Sequence, residues 1–161
     1  MKELKQYKCL ADLEKIVSEI RSLRARPIIQ GKHPTLYEER LEGKYRTVMG
    51  IRICDYHFNF DESWILPDRQ MGLSFSANWE NLKFVLGMQA KRAKKKPVDV
   101  YWVLSEADIP PGLEFVPDQR NDGHYFLAVT AKQGMSIEDL AQRLELVAQR
   151  MSVIRDGSKF L

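Results

Sequence analysis

Apolar positions recur along the chain with two periods, and the changes between them divide it. Leu13, Ile16, Val17, Ile20 and Leu23 fall at helical spacing, with Asp12 placed to cap the run and Pro27 to stop it. Residues 28–43 carry no decisive period; "TLYEERLEG" suits a short helix or a ribbon that turns at Gly43. From Tyr45 the period is two, with Tyr45, Thr47, Met49, Ile51 and Ile53 on one side and Arg46, Val48, Arg52 and Cys54 on the other. The apolar set then changes parity to Tyr56, Phe58 and Phe60, which predicts a bulge or break near Asp55. "MGLSFS" predicts a short strand running into a helix over "ANWENLKFVLGMQAKRAKK", which presents Trp79, Leu82, Val85 and Leu86.

"PVDVYWVL" is β-prone without helical period and predicts a central strand. "IPPGLEFVPDQRNDGHYFLAV" predicts a hairpin, its apolar stretches Leu113–Val116 and Tyr125–Val129 flanking a polar tip. The last helix is the clearest: Ile137, Leu140, Leu144, Val147, Met151 and Ile154 lie along one face, with Ser136 and Asp139 as a capping pair. Helix, strands, helix, strands, helix, without βαβ repetition, predicts an α+β fold with a mainly antiparallel sheet and about three helices.

Length and composition narrow this. A chain of 161 residues with 44% hydrophobic and 29% charged residues is expected to form a single domain, residues 1–161, around one substantial core. No apolar run approaches the roughly 18–20 residues that span a bilayer. "MKELKQYKCLADLEK" lacks an apolar core of signal-peptide length, so no membrane association and a cytoplasmic site of action are expected. Cys9 and Cys54, the two cysteines, suit neither a disulfide framework nor a zinc site and read as reduced and structural.

The net charge of +3 is mild but unevenly spread: "KRAKKK", Lys91 to Lys96, holds five positive charges, and "RSLRAR" adds three. Such runs serve phosphate-rich ligands or RNA. They equally serve as solvated helix ends that offset the dipole, and Pro97 after the first run fits that reading. Trp79 and Trp102 read as core aromatics rather than base-stacking platforms.

Several chemistries are excluded by absence of their motifs: the phosphate-cradling Gly-x-x-x-x-Gly-Lys loop, the Gly-x-Gly-x-x-Gly fingerprint, the His-Glu-x-x-His helix and the Gly-x-Ser-x-Gly elbow. His33, His57 and His124, the three histidines, are too scattered to assert a metal site.

Ile109-Pro110-Pro111, Gly112-Leu113, Gly123-His124-Tyr125, Met135 and the helix from Ser136 follow one another in an informative order. Over residues 109–144 that order resembles the closing segment of small toxins with an ADP-ribosyltransferase-like fold, including a type VI secretion effector family. Upstream, Tyr45-Arg46 resembles the aromatic-Arg pair on the family's first strand. Gly72, Ser74 and Ser76 resemble its Ser-Thr-Ser element, with Phe75 where Thr is usual. The resemblance implies an ADP-ribosyltransferase-like fold and a toxin acting in a bacterial cytoplasm, with NAD as cofactor and a cognate immunity or antitoxin protein as a partner. It implies Tyr45, Arg46, Gly72 and Gln119 as cofactor-binding positions, and Arg46, Ser74, Ser76, His124 and Glu114 as catalytic ones.

The chemistry such a site needs is definite. Cleaving the nicotinamide–ribose bond develops positive charge on the sugar. An arginine grips pyrophosphate with a planar fork that lysine cannot reproduce. Serine hydroxyls brace that arginine and the ribose, and a carboxylate or amide on a later strand orients a ribose hydroxyl and favours the oxocarbenium-like charge. The family's usual closing Glu has no unambiguous equivalent; Glu106 and Glu114 are available, with Gln119 and His124 as other candidates. Each residue also has a plain reading. Arg46 and the second candidate Arg52 suit a solvated strand face, Ser76 a helix cap, and His124 a hairpin. The alternative function is a non-enzymatic module that binds RNA or protein through Lys91–Lys96. Convergence of Arg46, Ser74 and His124 on one cleft is the geometric signature that the resemblance requires.

Overall fold

The structure is a computed structural model that describes residues 2–105 and 109–158. It is an α+β fold. Strands β1 (Lys2–Tyr7), β2 (Leu23–Ile29), β7 (Leu73–Ser76), β8 (Val98–Leu104), β9 (Leu113–Pro117), β10 (His124–Val129) and β12 (Ser152–Asp156) form one seven-stranded sheet in the order β1-β12-β8-β2-β7-β10-β9. Every neighbouring pair is antiparallel except β1 with β12. Two small sheets, β3 (Thr47–Val48) with β4 (Ile51–Arg52), and β5 (His57–Phe58), β6 (Trp64–Leu66) and β11 (Met135–Ser136), lie in the connections.

Three helices cover the large sheet. α1 (Leu10–Ser18) and α2 (Trp79–Ala93) bury Leu13, Val17, Leu82 and Leu86 against Leu23, Ala25, Val98, Val100 and Ile154 on one face. α3 (Ile137–Arg150) buries Ile137, Leu140, Leu144 and Val147 against Ile28, Phe75, Tyr101, Val103 and Leu127 on the other. β8 is buried on both faces, which is why its sequence shows no polar alternation. α3 starts as its sequence predicts, Ser136 Oγ accepting the Asp139 amide at 3.1 Å.

Five expectations change. The first helix ends at Ser18, and Leu23 belongs to β2: a strand residue fell by chance on the helical stripe. Its N-cap is Cys9, while Asp12 in the first turn accepts the Lys8 amide at 3.1 Å. The last helix ends at Arg150, and Val153 and Ile154 reach the core from β12 instead. The single strand expected from Tyr45 is a hairpin, because Met49 and Gly50 both take positive φ (52° and 83°) and reverse the chain between β3 and β4. Asn78, not Ser76, caps α2, its side chain accepting the Asn81 amide at 2.9 Å. No helix among the described residues is long and apolar enough to cross a membrane.

Candidate functional site

The main cleft follows from one missing hydrogen-bond donor. Along β2 the even-numbered amides face β8, as the Gln30 amide does in donating to Pro97 O at 2.9 Å. The odd-numbered ones therefore face β7. Ala25 pairs with Ser76 there, and the next pair in that register would be Pro27 with Ser74. Proline has no N–H, so the ladder stops and the two strands part. The orphaned Ser74 carbonyl is taken by the Arg26 guanidinium, whose Nη1 donates to it at 2.8 Å.

Arg26 is the floor of the opening. It is only 9% exposed, and its Nε donates to Pro34 O at 2.9 Å while Nη2 lies 3.4 Å from the Tyr37 hydroxyl. Its guanidinium sits 5.5 Å from the centre of the Phe75 ring. Among the described residues no carboxylate comes within ion-pair distance of Arg26 or Arg52. Arg52, on β4, is stacked between two rings, 3.7 Å from the centre of Tyr37 and 4.6 Å from that of Tyr45. Burial pushes the nearby Asp55 carboxyl above the usual range even though both arginines pull it down. Asp55 is thus a carboxylate within electrostatic reach of both arginines, and it offsets their positive field in part.

The cleft encloses about 790 Å³ and is walled by β2, the 31–52 connection, Ser74 and the Val85, Gln89 and Arg92 side of α2. Arg26, Lys32, Arg40, Arg52 and Arg92 line it against two carboxylates, Glu38 and Glu39. The 33–36 turn that forms one wall is tied to α3. Its His33 Nδ1 accepts the Thr35 and Leu36 amides at 3.1 and 3.0 Å, which places the ring proton on Nε2, 2.5 Å from Glu145. Thr35 Oγ1 donates to Leu144 O at 2.8 Å.

The residues singled out in the sequence are distributed over several places. Tyr45, Arg52 and the exposed Ser74 line the cleft. Arg46 does not: both of its terminal nitrogens bond the Glu62 carboxylate in a half-exposed ion pair. Gly72 serves packing, because a Cβ there would lie 2.3 Å from the Leu127 carbonyl oxygen. Ser76 is buried and donates to Asn81 Oδ1 at 2.5 Å. Glu114 is exposed on the sheet edge, accepting from the Thr130 hydroxyl at 2.5 Å. Gln119 is exposed at the hairpin tip, and Glu106 lies outside the described residues. His57 is exposed beside Asp68, at 3.4 Å.

His124 belongs to a separate recess of about 270 Å³, shared with Asn78, Asn121 and Asp122. Its Nδ1 lies 2.8 Å from Asp118 Oδ2, and its ring meets Phe126 edge-on with centroids 4.9 Å apart. Asp118 also accepts the Arg120 amide at 2.9 Å and the Asn121 side chain at 3.1 Å. Burial alone would raise the Asp118 carboxyl; the amide, the Asn121 side chain and His124 together outweigh it and hold the group well below the usual carboxylate range. So Arg46, Ser74 and His124 do not converge on one cleft.

A carboxylate held low in the folded state stabilises the fold above its unfolded pKa and loses that contribution as pH falls. Asp118→Asn is therefore expected to lower stability by about 1–2 kcal/mol at neutral pH. That difference from the parent protein shrinks below about pH 4. Urea midpoints across pH 7 to 3 measure it, and a difference constant with pH would refute the ionic role.

Arg26 was not singled out, though "RARPII" carries a signal: a cation enclosed by apolar residues ahead of a proline has to be bonded inside. Among the described residues, no group of three His, Cys, Asp or Glu side chains is placed to hold a metal ion. Compared with protein-family models, with curated proteins and with solved structures, the chain matches none.

Proposed function

We propose that the protein binds a nucleotide through its phosphates in the cleft between β2 and β7. The observation that carries this reading is the pair Arg26 and Arg52: two fixed guanidinium groups with no carboxylate within ion-pair distance among the described residues, one at the cleft floor and one held in a tyrosine stack. A diphosphate supplies the opposite charge to both: Arg52 offers it a planar fork, and Arg26, already bonded to Pro34 O, Ser74 O and the Tyr37 hydroxyl, adds its charge from the cleft floor. Tyr45, 40% exposed, offers a ring to a base or nicotinamide at the same wall.

NAD is the nucleotide that the resemblance over residues 109–144 suggests, and a toxin-like role in a bacterial cytoplasm follows from that same resemblance. His124 and Glu114 do not line the cleft, so its geometry supports binding and assigns no group to the sugar-transfer step.

Calorimetric titration with NAD, ADP-ribose, ADP and adenosine tests the reading. The three phosphate-bearing ligands are expected to bind and adenosine to bind at least tenfold more weakly. Arg52→Ala is expected to weaken ADP at least tenfold, as loss of a charge-assisted pair does. Arg46→Ala, whose ion pair lies outside the cleft, leaves ADP affinity unchanged. No phosphate-dependent binding, or equal losses in the two arginine variants, would refute it.

A further inference from the structure

α2 ends against its own backbone preference. Ala93 is the last helical residue, and Lys94 and Lys95 both take left-handed backbone, at φ 49° and 78°. Glycine adopts that conformation freely and is the usual residue there; a side chain makes it sterically costly. Two successive lysines kept in such a turn mark a place where the side chains matter more than the ease of the turn. The Lys96 amide closes it on Ala93 O at 3.0 Å, and Lys94, Lys95 and Lys96 all stand exposed.

The outward side of α2 is apolar where it approaches this turn. Leu82, Leu86 and Ala93 are buried, while Phe84 is 66% exposed and Met88 39% exposed. Positions 84, 88 and 91 follow one another by four and three, so Phe84, Met88 and Lys91 form one stripe. Arg92, one turn beyond Met88, lines the cleft, and the charge of Lys96 acts on Glu38, which also lines it. The stripe and the lysine turn are therefore the cleft's outer margin.

We propose that this margin binds single-stranded nucleic acid, a base stacking on Phe84 and the phosphates running over Lys91, Lys94 and Lys95 toward Arg92. An exposed ring beside closely set cations suits unpaired bases, which a duplex withholds. The choice of a phosphate polymer over an acidic protein rests on the nucleotide reading of the adjoining cleft, where the same chemistry would be served.

Fluorescence anisotropy with short labelled oligo(U), oligo(dT) and an RNA duplex tests it on the full chain. Oligo(U), alone or together with oligo(dT), is expected to bind at least tenfold more tightly than the duplex. Joint replacement Lys94→Gly and Lys95→Gly relieves the turn, so thermal stability is retained or raised while oligo(U) affinity falls at least tenfold. The slope of log affinity against log salt falls by about 1.4, as expected for two lost single-strand phosphate contacts. Phe84→Ala lowers affinity at least fivefold at fixed salt without changing that slope. Undiminished oligo(U) binding by the double-glycine protein, duplex binding equal to single-strand binding, or equally effective competition by polyglutamate would each overturn the proposal. ADP binding that persists and remains sensitive to Arg52→Ala, alongside any of those results, shows that this margin alone was misread.

Discussion

Gly72→Ala is expected to destabilise the protein by about 3 kcal/mol, seen as a lower urea midpoint with the slope unchanged. Two effects combine. The residue has φ 151°, a backbone region that side chains avoid. The added methyl would also meet the Leu127 carbonyl at 2.3 Å and the Ala128 amide nitrogen at 3.1 Å. Both obstacles are backbone, so no side-chain rotation relieves them. The Leu127 carbonyl also accepts the buried Tyr56 hydroxyl at 2.7 Å, and any shift of β10 disturbs that bond. The resemblance sets Gly72 among the cofactor-binding positions, and this variant separates the two roles. ADP affinity measured on the folded protein is expected to stay the same. Normal stability with weakened ADP binding would show that packing is the wrong explanation.

Arg26→Met is expected to give the second large effect. Methionine fills much of the same volume but leaves the buried Pro34 carbonyl and the part-buried Ser74 carbonyl without the donors they have now. Stranding two such acceptors costs about 2–4 kcal/mol, and relief of a buried cation offsets part of it. A net loss of about 2 kcal/mol follows, together with at least a tenfold loss of ADP affinity. Arg26→Lys is expected to restore charge but not affinity, since one ammonium cannot hold the geometry of three separately aimed donors. Calorimetry on both variants, beside their thermal melts, distinguishes a lost phosphate contact from a loosened cleft wall. Full ADP affinity in Arg26→Met would remove this residue from the site.

What the sequence disclosed of this fold depended on how each residue's surroundings were encoded. β8, the β9–β10 hairpin, α2 and the start of α3 were legible because their periods are long or their turn residues distinctive. β1, β2 and β12 were not. Leu23 and Ile154 continue the stripes of the helices beside them, so a local window extends each helix into a strand. Pro27 reads as a stop in sequence, yet it sits in mid-sheet, where its missing donor faces the strand that turns away.

The site was legible in part for the same reason. Tyr45, in the turn before β3, and Arg52 and Ser74, on strands, stand out because they are exposed or half-exposed. Arg26 is defined by carbonyls distant in the chain, which no local pattern reports. Arg46 has the position that the resemblance asks for, but the carboxylate sixteen residues on claims both of its nitrogens. His124 is drawn to Asp118 across the hairpin tip.

The proline in β2 has a further consequence for how a ligand enters. The gap beside it is kept open by an absent rung and not by a wedge, so no bulky group has to swing aside and no strand has to be peeled away. Admission is then a matter of displacing water from a standing aperture. On the proposed reading, what a phosphate must organise is confined to the exposed cations at the rim, Lys32, Arg40 and Arg92.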